Sequence, residues 1–315
     1  MYSNQQRNSH KVKEIASAIG FDLCGIATAV KLDDDARRLE NWLGKGFQGE
    51  MHYMENHFDL RIDPTKLVPG AKSVITLMFN YFPEEAQEPH APKIAKYAFG
   101  KDYHLVIRDK LHEFLYQIRE SFGDVQGRGF VDSAPVLERA WAQRSGLGWI
   151  GKNGNLINKK VGSFYFLATL ITDLALEADN PYYQDYCGSC NKCVEACPTE
   201  ALLPEKILDA TKCISYLTIE LKSSIIPESL SGKSNNWVFG CDICQDVCPW
   251  NRFSKTTTHD ELKPINEVLS FSIDDWYLLE KEAFNKLFKE SAIKRTKWEG
   301  MKRNLSLYIR ENPVT

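Results

Sequence analysis

The chain has 315 residues, of which 43% are hydrophobic and 26% are charged, and its formal net charge is −3. This length suffices for one large domain or two modest ones, each with an apolar core. The slight negative charge excludes a protein that coats nucleic acid over its whole surface, although it leaves room for a local basic patch.

The apolar runs and the first residues bear on location. The longest largely apolar run, FYFLATLI (164–171), is too short to cross a bilayer and predicts a buried strand. The first 20 residues lack the apolar core and the small-residue cleavage site of a secretory signal. We therefore expect a cytoplasmic protein without a membrane partner, whose nine cysteines are metal ligands rather than disulfides.

The N-terminal part alternates helical and strand patterns. The segments with helical periodicity are 10–19, which ends at Gly20, 32–46 and 103–122. The segments typical of strands are FDLCGIA (21–27) and SVITLMFNYF (73–82), and RIDPTKLVPG (61–70) is typical of a turn. Alternation of this kind predicts an α/β or α+β layer.

Apolar periodicity lapses at EADNPYYQDY (177–186), just before the clustered cysteines. We place a domain boundary near residue 180 on this basis. The residues after about 260 again favour helices, which we expect to pack back on the body. The predicted α+β organisation is an α/β domain at 1–178, a ferredoxin-like domain at 179–258 and a helical segment at 259–315.

The segment CGSCNKCVEACP (187–198) has the C-x2-C-x2-C-x3-C-P spacing of bacterial ferredoxins. In that pattern three thiolates hold one [4Fe-4S] cluster and the fourth reaches a second cluster. A shortened copy of this motif, C-x2-C-x3-C-P, ends at Pro249, and Cys213 lies between the two copies. The crossover rule predicts one cluster on Cys187, Cys190, Cys193 and Cys248, and a second on Cys197, Cys213, Cys241 and Cys244.

Other uses of these cysteines remain open at this point. Two zinc sites suit the same spacing, and a set of disulfides is the other alternative. Cys24 lies inside an apolar strand pattern and is expected to be a small buried core residue.

Two clusters move single electrons but provide no substrate specificity. The N-terminal domain is therefore expected to hold an organic cofactor or a further redox centre. No G-x-G-x-x-G motif follows a strand, and GRGF (127–130) is not a phosphate loop, so neither a dinucleotide site nor a P-loop is indicated.

Three segments resemble, in the same order, those of epoxyqueuosine reductases. They are GRGFVDSAPVLERAWAQRSGLGWIGKNGNLIN (127–158), CISYLTIELKSSIIPESL (213–230) and GCDICQDVCPWN (240–251). The resemblance covers most of the chain. It implies a cobalamin-binding N-terminal domain and an oxidoreductase that reduces the epoxide of epoxyqueuosine at the wobble position of tRNA to give queuosine. The electrons would come from two [4Fe-4S] clusters that reduce the corrinoid to cob(I)alamin.

The same resemblance makes Asp132, in VDSAP, the proton donor. A carboxylic acid can protonate the alkoxide of an opened epoxide only if its pKa is lifted, and burial beside Phe130, Val131 and a corrin ring is expected to lift it. The alternative is that Asp132 or Ser133 caps a helix that starts near Pro135.

Cobalamin contacts are expected at Arg61, Tyr97, Asp132, Asn153 and Ser215, with Tyr103 as a further residue of the pocket wall. Alternatively, Arg61 pairs with Asp63, and Asn153 serves the turn at 151–154. DYHLVI (102–107) lacks the glycine of the D-x-H-x-x-G loop that other corrinoid proteins carry, so His104 is expected to be a helix-start residue rather than a cobalt ligand.

For tRNA contact the best candidates are Lys222, Ser223 and the basic segment 294–310. The alternative for that segment is a helix docked by an apolar stripe with a solvated basic face, and the stripe is Trp298, Met301, Leu305 and Tyr308. Family members can carry a C-terminal helical-repeat extension that this sequence lacks, which leaves the extent of tRNA contact open. The electron donor is unidentified, and a monomer is expected.

Two rival functions remain. Reductive dehalogenases also join cobalamin to two [4Fe-4S] clusters, but they usually carry a twin-arginine export signal that this N-terminus lacks. A ferredoxin-type electron-transfer protein would need no domain as large as the one that carries VDSAP.

Overall fold

The computed structural model of the protein describes residues 3–88, 91–223 and 225–311. Its α-helices are α1 (Asn4–Ile19), α2 (Asp33–Gly44), α3 (Phe58–Ile62), α4 (Pro64–Leu67), α5 (Tyr103–Phe122), α6 (Glu138–Arg144), α7 (Lys192–Ala196), α8 (Ile243–Asp246), α9 (Asn266–Leu269), α10 (Ile273–Leu278), α11 (Lys281–Leu287) and α12 (Lys297–Glu311). Its strands are β1 (Leu23–Thr28), β2 (Ser73–Asn80), β3 (Lys93–Ile94), β4 (Gly127–Phe130), β5 (Trp149–Ile150), β6 (Leu156–Ile157), β7 (Tyr165–Thr172), β8 (Leu202–Leu203), β9 (Ile207–Leu208) and β10 (Trp237–Phe239).

The main sheet has the strand order β1-β2-β7-β4, and each neighbouring pair is antiparallel. Along β2, alternate side chains enter different apolar clusters. Ile75, Leu77 and Phe79 pack with α1 and α5, whereas Val74 and Met78 pack toward the side of α6. Helices therefore cover both faces of the sheet.

This arrangement explains the sequence pattern of the N-terminal part and corrects one expectation. Because both faces are covered, all eight residues of β2 are buried, and the strand lacks the apolar and polar alternation that a half-exposed strand would show. The N-terminal part is not α/β in the sense of a parallel sheet. It is an antiparallel sheet between helices, and the α+β class holds for the chain as a mixed helix and strand protein.

Several predicted elements agree with the structure. The helix at 103–122 is α5, residue for residue, and the strand predicted at 73–82 contains β2. The first helix begins earlier than predicted, at Asn4, where Ser3 forms a capping box, and it ends at Gly20 with a left-handed φ of 100°. Segment 61–70 was expected to be a turn, but it contains the end of α3 and all of α4.

The C-terminal helices share one apolar core with earlier segments. Phe99 and Phe239 pack there with Trp276, Phe284 and Phe288, and α12 contributes the buried Met301, Leu305 and Tyr308. Trp298 is partly buried against the same cluster. The apolar stripe of α12 is therefore docked on the body, as the docked-helix alternative for this segment predicts. Within the described residues, no helix combines the length and the apolar composition that a membrane crossing requires.

Candidate active site and cysteine centres

Asp132 lies where the chain leaves β4 and turns toward α6. Its backbone adopts φ 51°, a left-handed conformation that is uncommon for residues other than glycine. The α6 helix begins only at Glu138, and its N-cap, Leu137, makes no side-chain capping bond. The alternative that Asp132 or Ser133 caps a helix near Pro135 is therefore wrong.

The carboxylate of Asp132 faces the start of α5. Tyr103 donates its hydroxyl hydrogen to Asp132 Oδ2 at 2.7 Å, and His104 Nε2 lies 3.3 Å from the same oxygen. The other ring nitrogen of His104 lies 2.7 Å from Asp102 Oδ1. Asp102 also caps α5, since its side chain accepts the backbone N–H of His104 at 3.0 Å. His104 is thus the helix-start residue that the sequence predicted, and in addition it links two carboxylates.

These contacts reverse the expected pKa of Asp132. Burial alone would raise the pKa of its carboxyl group, but the hydrogen bonds from His104 and Tyr103 outweigh burial and lower it. For His104, burial lowers the pKa, but Asp102 and Asp132 raise it to about 9. At neutral pH the proton therefore resides on the imidazole, and Asp132 is a carboxylate.

Glu138 holds the backbone of the same loop. Its Oε1 accepts the backbone N–H of Asp132 at 2.9 Å. Burial and the nearby charge of Asp132 raise the pKa of Glu138 to about 8. Glu138 is consequently mostly protonated at neutral pH, which avoids a second negative charge beside Asp132.

The rings around Tyr103 connect this site to the interior. The Tyr103 ring stacks on Phe166, with 4.1 Å between ring centroids and 8° between planes, and it meets the Tyr97 ring edge-on at 6.1 Å. Tyr97 also packs against a small apolar cluster that contains Ala95, and Cys241 borders the same cluster. The Tyr103 and Tyr97 rings therefore connect Asp132 to an apolar cluster beside one of the clustered cysteines.

A polar group from the C-terminal segment lies close to the acid. Arg295 donates two hydrogen bonds to the Glu220 carboxylate, at 2.6 and 2.9 Å, and its charge contributes to lowering the pKa of Asp132. The guanidinium of Arg295 lies 5.9 Å from the centroid of the Tyr53 ring, which is 46% exposed. Tyr53 and Arg295 therefore lie near enough to Asp132 for electrostatic interaction with its carboxylate.

Arg61 is almost completely buried, at 8% exposure, and it does not pair with Asp63. One of its terminal nitrogens donates to the backbone carbonyl of Tyr53 at 2.9 Å. Asp63 instead caps α4, where it accepts the N–H of Thr65 at 3.0 Å. Arg61 Nε is buried and has no hydrogen-bond partner among the described residues. Such a buried donor is normally paired, so this nitrogen is suited to an acceptor that is not part of the chain.

Asn153 and Ser215 lie beside cysteines rather than beside Asp132. Asn153 Oδ1 accepts the N–H of Asn155 at 3.2 Å, as expected for a turn, and its amide nitrogen donates to the carbonyl of Cys244 at 3.2 Å. The hydroxyl of Ser215 hydrogen-bonds to the Cys213 thiol and contributes to lowering its pKa, although burial raises that pKa overall.

The first cysteine set surrounds one cavity. A cavity of about 200 Å³ is lined by Cys187, Cys190, Cys193 and Cys248. Burial raises the pKa of the Cys248 thiol, and the nearby Cys187 and Cys190 raise it further. Trp149 Nε1 donates toward Cys187 Sγ at 3.5 Å. Among the residues that the structure describes, no three His, Cys, Asp or Glu side chains form a group that could hold a single metal ion.

The second cysteine set lies deeper. Burial raises the pKa values of the Cys241 and Cys244 thiols, and Cys213 adds to both shifts. Cys197 adds in the same way to the raised pKa values of Cys213 and Cys244, and Cys193 of the first set acts on Cys244 as well. Cysteines that the crossover rule assigns to one cluster therefore lie near one another, and Cys193 of the first set lies near the second set. Their role as cluster ligands stays a prediction. Cys24 packs against the core, and burial raises the pKa of its thiol to about 12.

The two residues predicted to contact tRNA lie on the surface, between Cys213 and Cys241 in the sequence. Lys222 and Ser223 are exposed in the loop after the π-helical turn at 216–220. Arg303 of α12 donates to the carbonyls of Leu221 and Ser223, both at 2.7 Å, so this arginine supports the loop from below. Lys294, Arg295 and Lys297 are exposed, whereas the side chain of Arg310 lies outside the described residues.

The sequence did not identify Glu138 and Tyr53 as residues of the candidate site, and it indicated neither that Arg295 lies near Asp132 nor that His104 links two carboxylates. All four depend on contacts between distant segments. The only local signal was DYH (102–104) at the start of a strongly helical pattern, because an acid at an N-cap position places the following residues at the helix end.

Comparisons with known proteins bear on the family of this chain. Residues 61–133 match the family described as epoxyqueuosine reductase QueG, and residues 186–251 match a 4Fe-4S double cluster binding domain. The epoxyqueuosine reductase of Cyclobacterium marinum is 57% identical over 96% of this chain and 97% of its own length. A crystal structure of epoxyqueuosine reductase with an epoxyqueuosine-modified tRNA-Tyr stem loop has a TM-score of 0.87 and 31% identity, over 97% of this chain and 81% of that one.

A second solved structure concerns the acid loop. It is an epoxyqueuosine reductase from Bacillus subtilis in which the catalytic loop with its aspartate is swung out of the active site. Its TM-score is 0.87 at 30% identity, over 97% of this chain and 82% of that one. Identity above half over nearly the whole length of a relative, together with these folds, settles the assignment: the chain belongs to the epoxyqueuosine reductase family.

Proposed function

We propose that the protein reduces the epoxide of epoxyqueuosine at the wobble position of tRNA through a bound cobalamin, which two [4Fe-4S] clusters supply with electrons. One observation carries the proposal. Tyr103 bonds to Asp132 at 2.7 Å, its ring meets the Tyr97 ring, and Tyr97 packs against the same apolar cluster as Cys241. A pair of aromatic rings thus lies between the carboxylate and the apolar cluster that borders the electron-transfer motif.

The family gives the reaction class. As an epoxyqueuosine reductase, the chain is an oxidoreductase of tRNA processing and carries a double-cluster iron–sulfur domain. Reduction of an epoxide, whether to an alcohol or to an alkene and water, consumes two electrons and two protons. Clusters that each pass one electron must therefore act twice per turnover, and the site must deliver a proton to the epoxide oxygen when its C–O bond breaks.

The proton is proposed to come from the Asp132–His104 pair. Because the imidazole carries the proton at neutral pH and lies 3.3 Å from Asp132 Oδ2, the carboxylate can pass that proton to the developing alkoxide. Asp102 holds the other side of the imidazole at 2.7 Å. Asp132 remains the residue that touches the substrate. The Bacillus subtilis relative, in which the catalytic loop with its aspartate is swung out of the active site, supports that role.

One feature of the residues present supports a corrinoid, namely a buried hydrogen-bond donor that is unpaired in the described part of the chain. Arg61 Nε is a buried donor without a partner among the described residues, which suits an oxygen of a propionamide or phosphate group. Tyr97, Asp132, Asn153 and Ser215 are the other proposed contacts, with Tyr103 in the pocket wall. When bound, cobalamin in its cob(I) state supplies a metal centre reduced enough to open the C–O bond of an epoxide.

The two cysteine sets are proposed to hold the clusters: Cys187, Cys190, Cys193 and Cys248 the first, and Cys197, Cys213, Cys241 and Cys244 the second. The cavity of about 200 Å³ inside the first set supports a cluster over zinc. A zinc ion draws its thiolates to within about 2.3 Å of one point, whereas each thiolate of a [4Fe-4S] cluster binds a separate iron.

The tRNA is proposed to approach past Tyr53 and Arg295, with Lys222 and Ser223 on its backbone. Phosphate contacts of this kind orient a nucleic acid without reading its sequence. We further propose that the protein acts as a monomer in the cytoplasm. The proposed organisation remains a cobalamin-binding part at 1–178, a ferredoxin-like part at 179–258 and a helical part at 259–315.

Metal and corrin content test the proposal directly. Anaerobic reconstitution with iron, sulfide and cobalamin should give about eight iron per chain and a corrin band beside the broad iron–sulfur absorption. Arg61→Ala should weaken cobalamin retention at unchanged iron content. A zinc-loaded protein with full turnover would overturn the cluster assignment, and turnover without any corrin would overturn the cofactor assignment.

A further inference from the structure

The two cysteine sets differ in their access to solvent. In the loop that bears Cys187, Cys190 and Cys193, the intervening residues Gly188, Ser189, Asn191 and Lys192 are exposed. The second set is bordered by buried neighbours: Asp242 is 2% exposed and Ile214 is 3% exposed. A bound protein can therefore come closer to the first set than to the second.

Three basic side chains form what we call the basic rim around this first set: Lys152, Lys159 and Arg252. Lys152 and Arg252 line the cysteine cavity itself. The ammonium of Lys159 lies 4.7 Å from the centroid of the Tyr186 ring, and that ring lines the same cavity. Lys159 and Arg252 are exposed.

The acidic side chains near the basic rim offset its positive charge only in part. Asp185, two residues before Cys187, is paired with Lys206 at 2.9 Å and accepts the backbone N–H of Cys187 at 2.8 Å. Glu195 is exposed on the short helix between the cysteines and is accompanied there by the exposed Lys192. The surface around the first set is thus positive, although the net charge of the chain is −3.

Aromatic rings complete the surface. The rings of Trp149, Tyr182, Tyr186 and Trp250 contact one another beside the cavity, with ring centroids 5.2 to 6.0 Å apart. Tyr183 is 73% exposed next to them, and Phe253, which touches Trp250, is 39% exposed. Aromatic residues and arginine are the side chains enriched in protein interfaces.

We propose that the basic rim and these rings dock an acidic one-electron carrier protein, which reduces the first cluster. The inference rests on the clusters of the proposed function. It adds the surface at which electrons enter and the charge that attracts their carrier. Each encounter moves one electron: the carrier is oxidised by one electron, the [4Fe-4S] cluster passes from the 2+ to the 1+ state, and no proton moves. Two encounters supply one turnover.

A carrier protein fits this surface better than tRNA does. The substrate base has to reach Asp132, and the Tyr103 and Tyr97 rings connect that residue to the apolar cluster beside Cys241 of the second set. The basic rim instead surrounds the first set. Donor and substrate can then be bound together. Complementary charge also gives the fast, salt-sensitive association that repeated delivery of single electrons requires.

The test uses a reduced plant-type [2Fe-2S] ferredoxin as an acidic probe. It is mixed in stopped flow with the reconstituted, cobalamin-loaded protein, and the rate at which the iron–sulfur absorption of that protein bleaches is measured. The variant is Lys159→Glu/Arg252→Glu. The control is Lys286→Glu/Lys289→Glu, which makes the same charge change at exposed positions of the C-terminal helical segment. Reduction by dithionite, which needs no docking, measures whether the clusters can accept electrons. The iron content measures whether they have assembled.

The proposal predicts that the rim variant is bleached by ferredoxin at least about tenfold more slowly than the wild type at low salt. It predicts a flattened salt dependence for the variant, normal bleaching by dithionite and a control pair that behaves as wild type. Equal rates for the rim variant and the wild type would overturn it, as would an equal loss in the control pair. Slow bleaching by dithionite, or weakened tRNA binding with normal uptake from ferredoxin, would also overturn it. Protein without iron would instead contradict the proposed function.

Discussion

Tyr103 donates its hydroxyl hydrogen to Oδ2 of Asp132 across 2.7 Å, between residues that are 29 positions apart in the chain. The donor is the first residue of α5, and the acceptor sits in a left-handed conformation at the end of β4. With His104 3.3 Å from the same oxygen, the carboxylate is held as an anion beside a protonated imidazole. The predictions that concern catalysis depend on this geometry.

Replacing Asp132 with Asn should remove the group that delivers the proton while keeping its size. We expect turnover to fall by about 10² to 10⁴-fold, the usual contribution of a general acid, with iron and cobalamin content unchanged. Turnover of the epoxyqueuosine stem loop measures the effect. Asp274→Asn, a change at an exposed position of α10, is the control, and equal turnover of the two variants would remove Asp132 from the reaction.

His104 should produce an alkaline limb in the pH profile. Its pKa is raised from 6.5 to about 9, so the protonated form predominates below about pH 9 and is lost above it. Wild-type kcat/KM should therefore fall about tenfold per pH unit beyond that point.

His104→Gln should be slower and should lack this limb. The matched control is His112→Gln, an exposed histidine on the same helix, which should keep the wild-type profile. A His104→Gln variant with an unchanged alkaline limb would show that another group titrates there.

Replacement of Glu138 by Gln should be tolerated, whereas replacement by Ala should not. Since its pKa is about 8, it is mostly protonated at pH 7, and Gln preserves the oxygen that accepts the backbone N–H of Asp132. Glu138→Gln should retain near wild-type kcat at pH 7. Glu138→Ala should lower kcat by about 10- to 100-fold, because the acid loop loses its anchor. Full activity of the Ala variant would mean that the loop is held by other contacts.

Loss of one ligand should affect one cluster. Cys248→Ala or Cys213→Ala is expected to lower the iron content from about eight to about four per chain and to abolish turnover. Anaerobic iron analysis after reconstitution measures this. Cys24→Ala, at the cysteine that packs on the core, should keep the full content. Equal iron in all three variants would contradict the assignment of the two sets.

Binding of the tRNA stem loop should weaken as salt rises, because phosphate contacts release counterions. Lys222→Gln is expected to weaken binding and to reduce the slope of log K against log salt by about one. Fluorescence anisotropy at several salt concentrations gives the slope. Lys72→Gln, at an exposed lysine far away in sequence, should keep it. An unchanged slope in Lys222→Gln would place the phosphate contacts elsewhere.

The features that the sequence predicted well are local. The cysteine spacing and the proline that follows it specify the iron–sulfur motif within a dozen residues, and α5 follows from its periodicity and its N-cap Asp102. The apolar stripe of α12 likewise predicts its own docking, because every fourth or third residue faces the same way.

The features that the sequence predicted wrongly depend on distant partners. The pKa of Asp132 was expected to rise, because nothing in VDSAP indicates that Tyr103 and His104 reach it from another element. The direction of the strands was not predictable either, since a strand covered on both faces is apolar throughout whether its neighbours are parallel or antiparallel. Arg295 could be identified as basic but not as a neighbour of Asp132.

A single-turnover experiment tests the central claim most directly. The cobalamin-loaded protein is reduced with dithionite, freed of excess reductant and mixed with the epoxyqueuosine stem loop, and the product is counted per chain. We predict conversion by the complete protein, and none by protein without cobalamin or by the Cys213→Ala variant that lacks the inner cluster. Equal product from either depleted form would contradict electron delivery from the cysteine centres to a corrinoid beside Asp132.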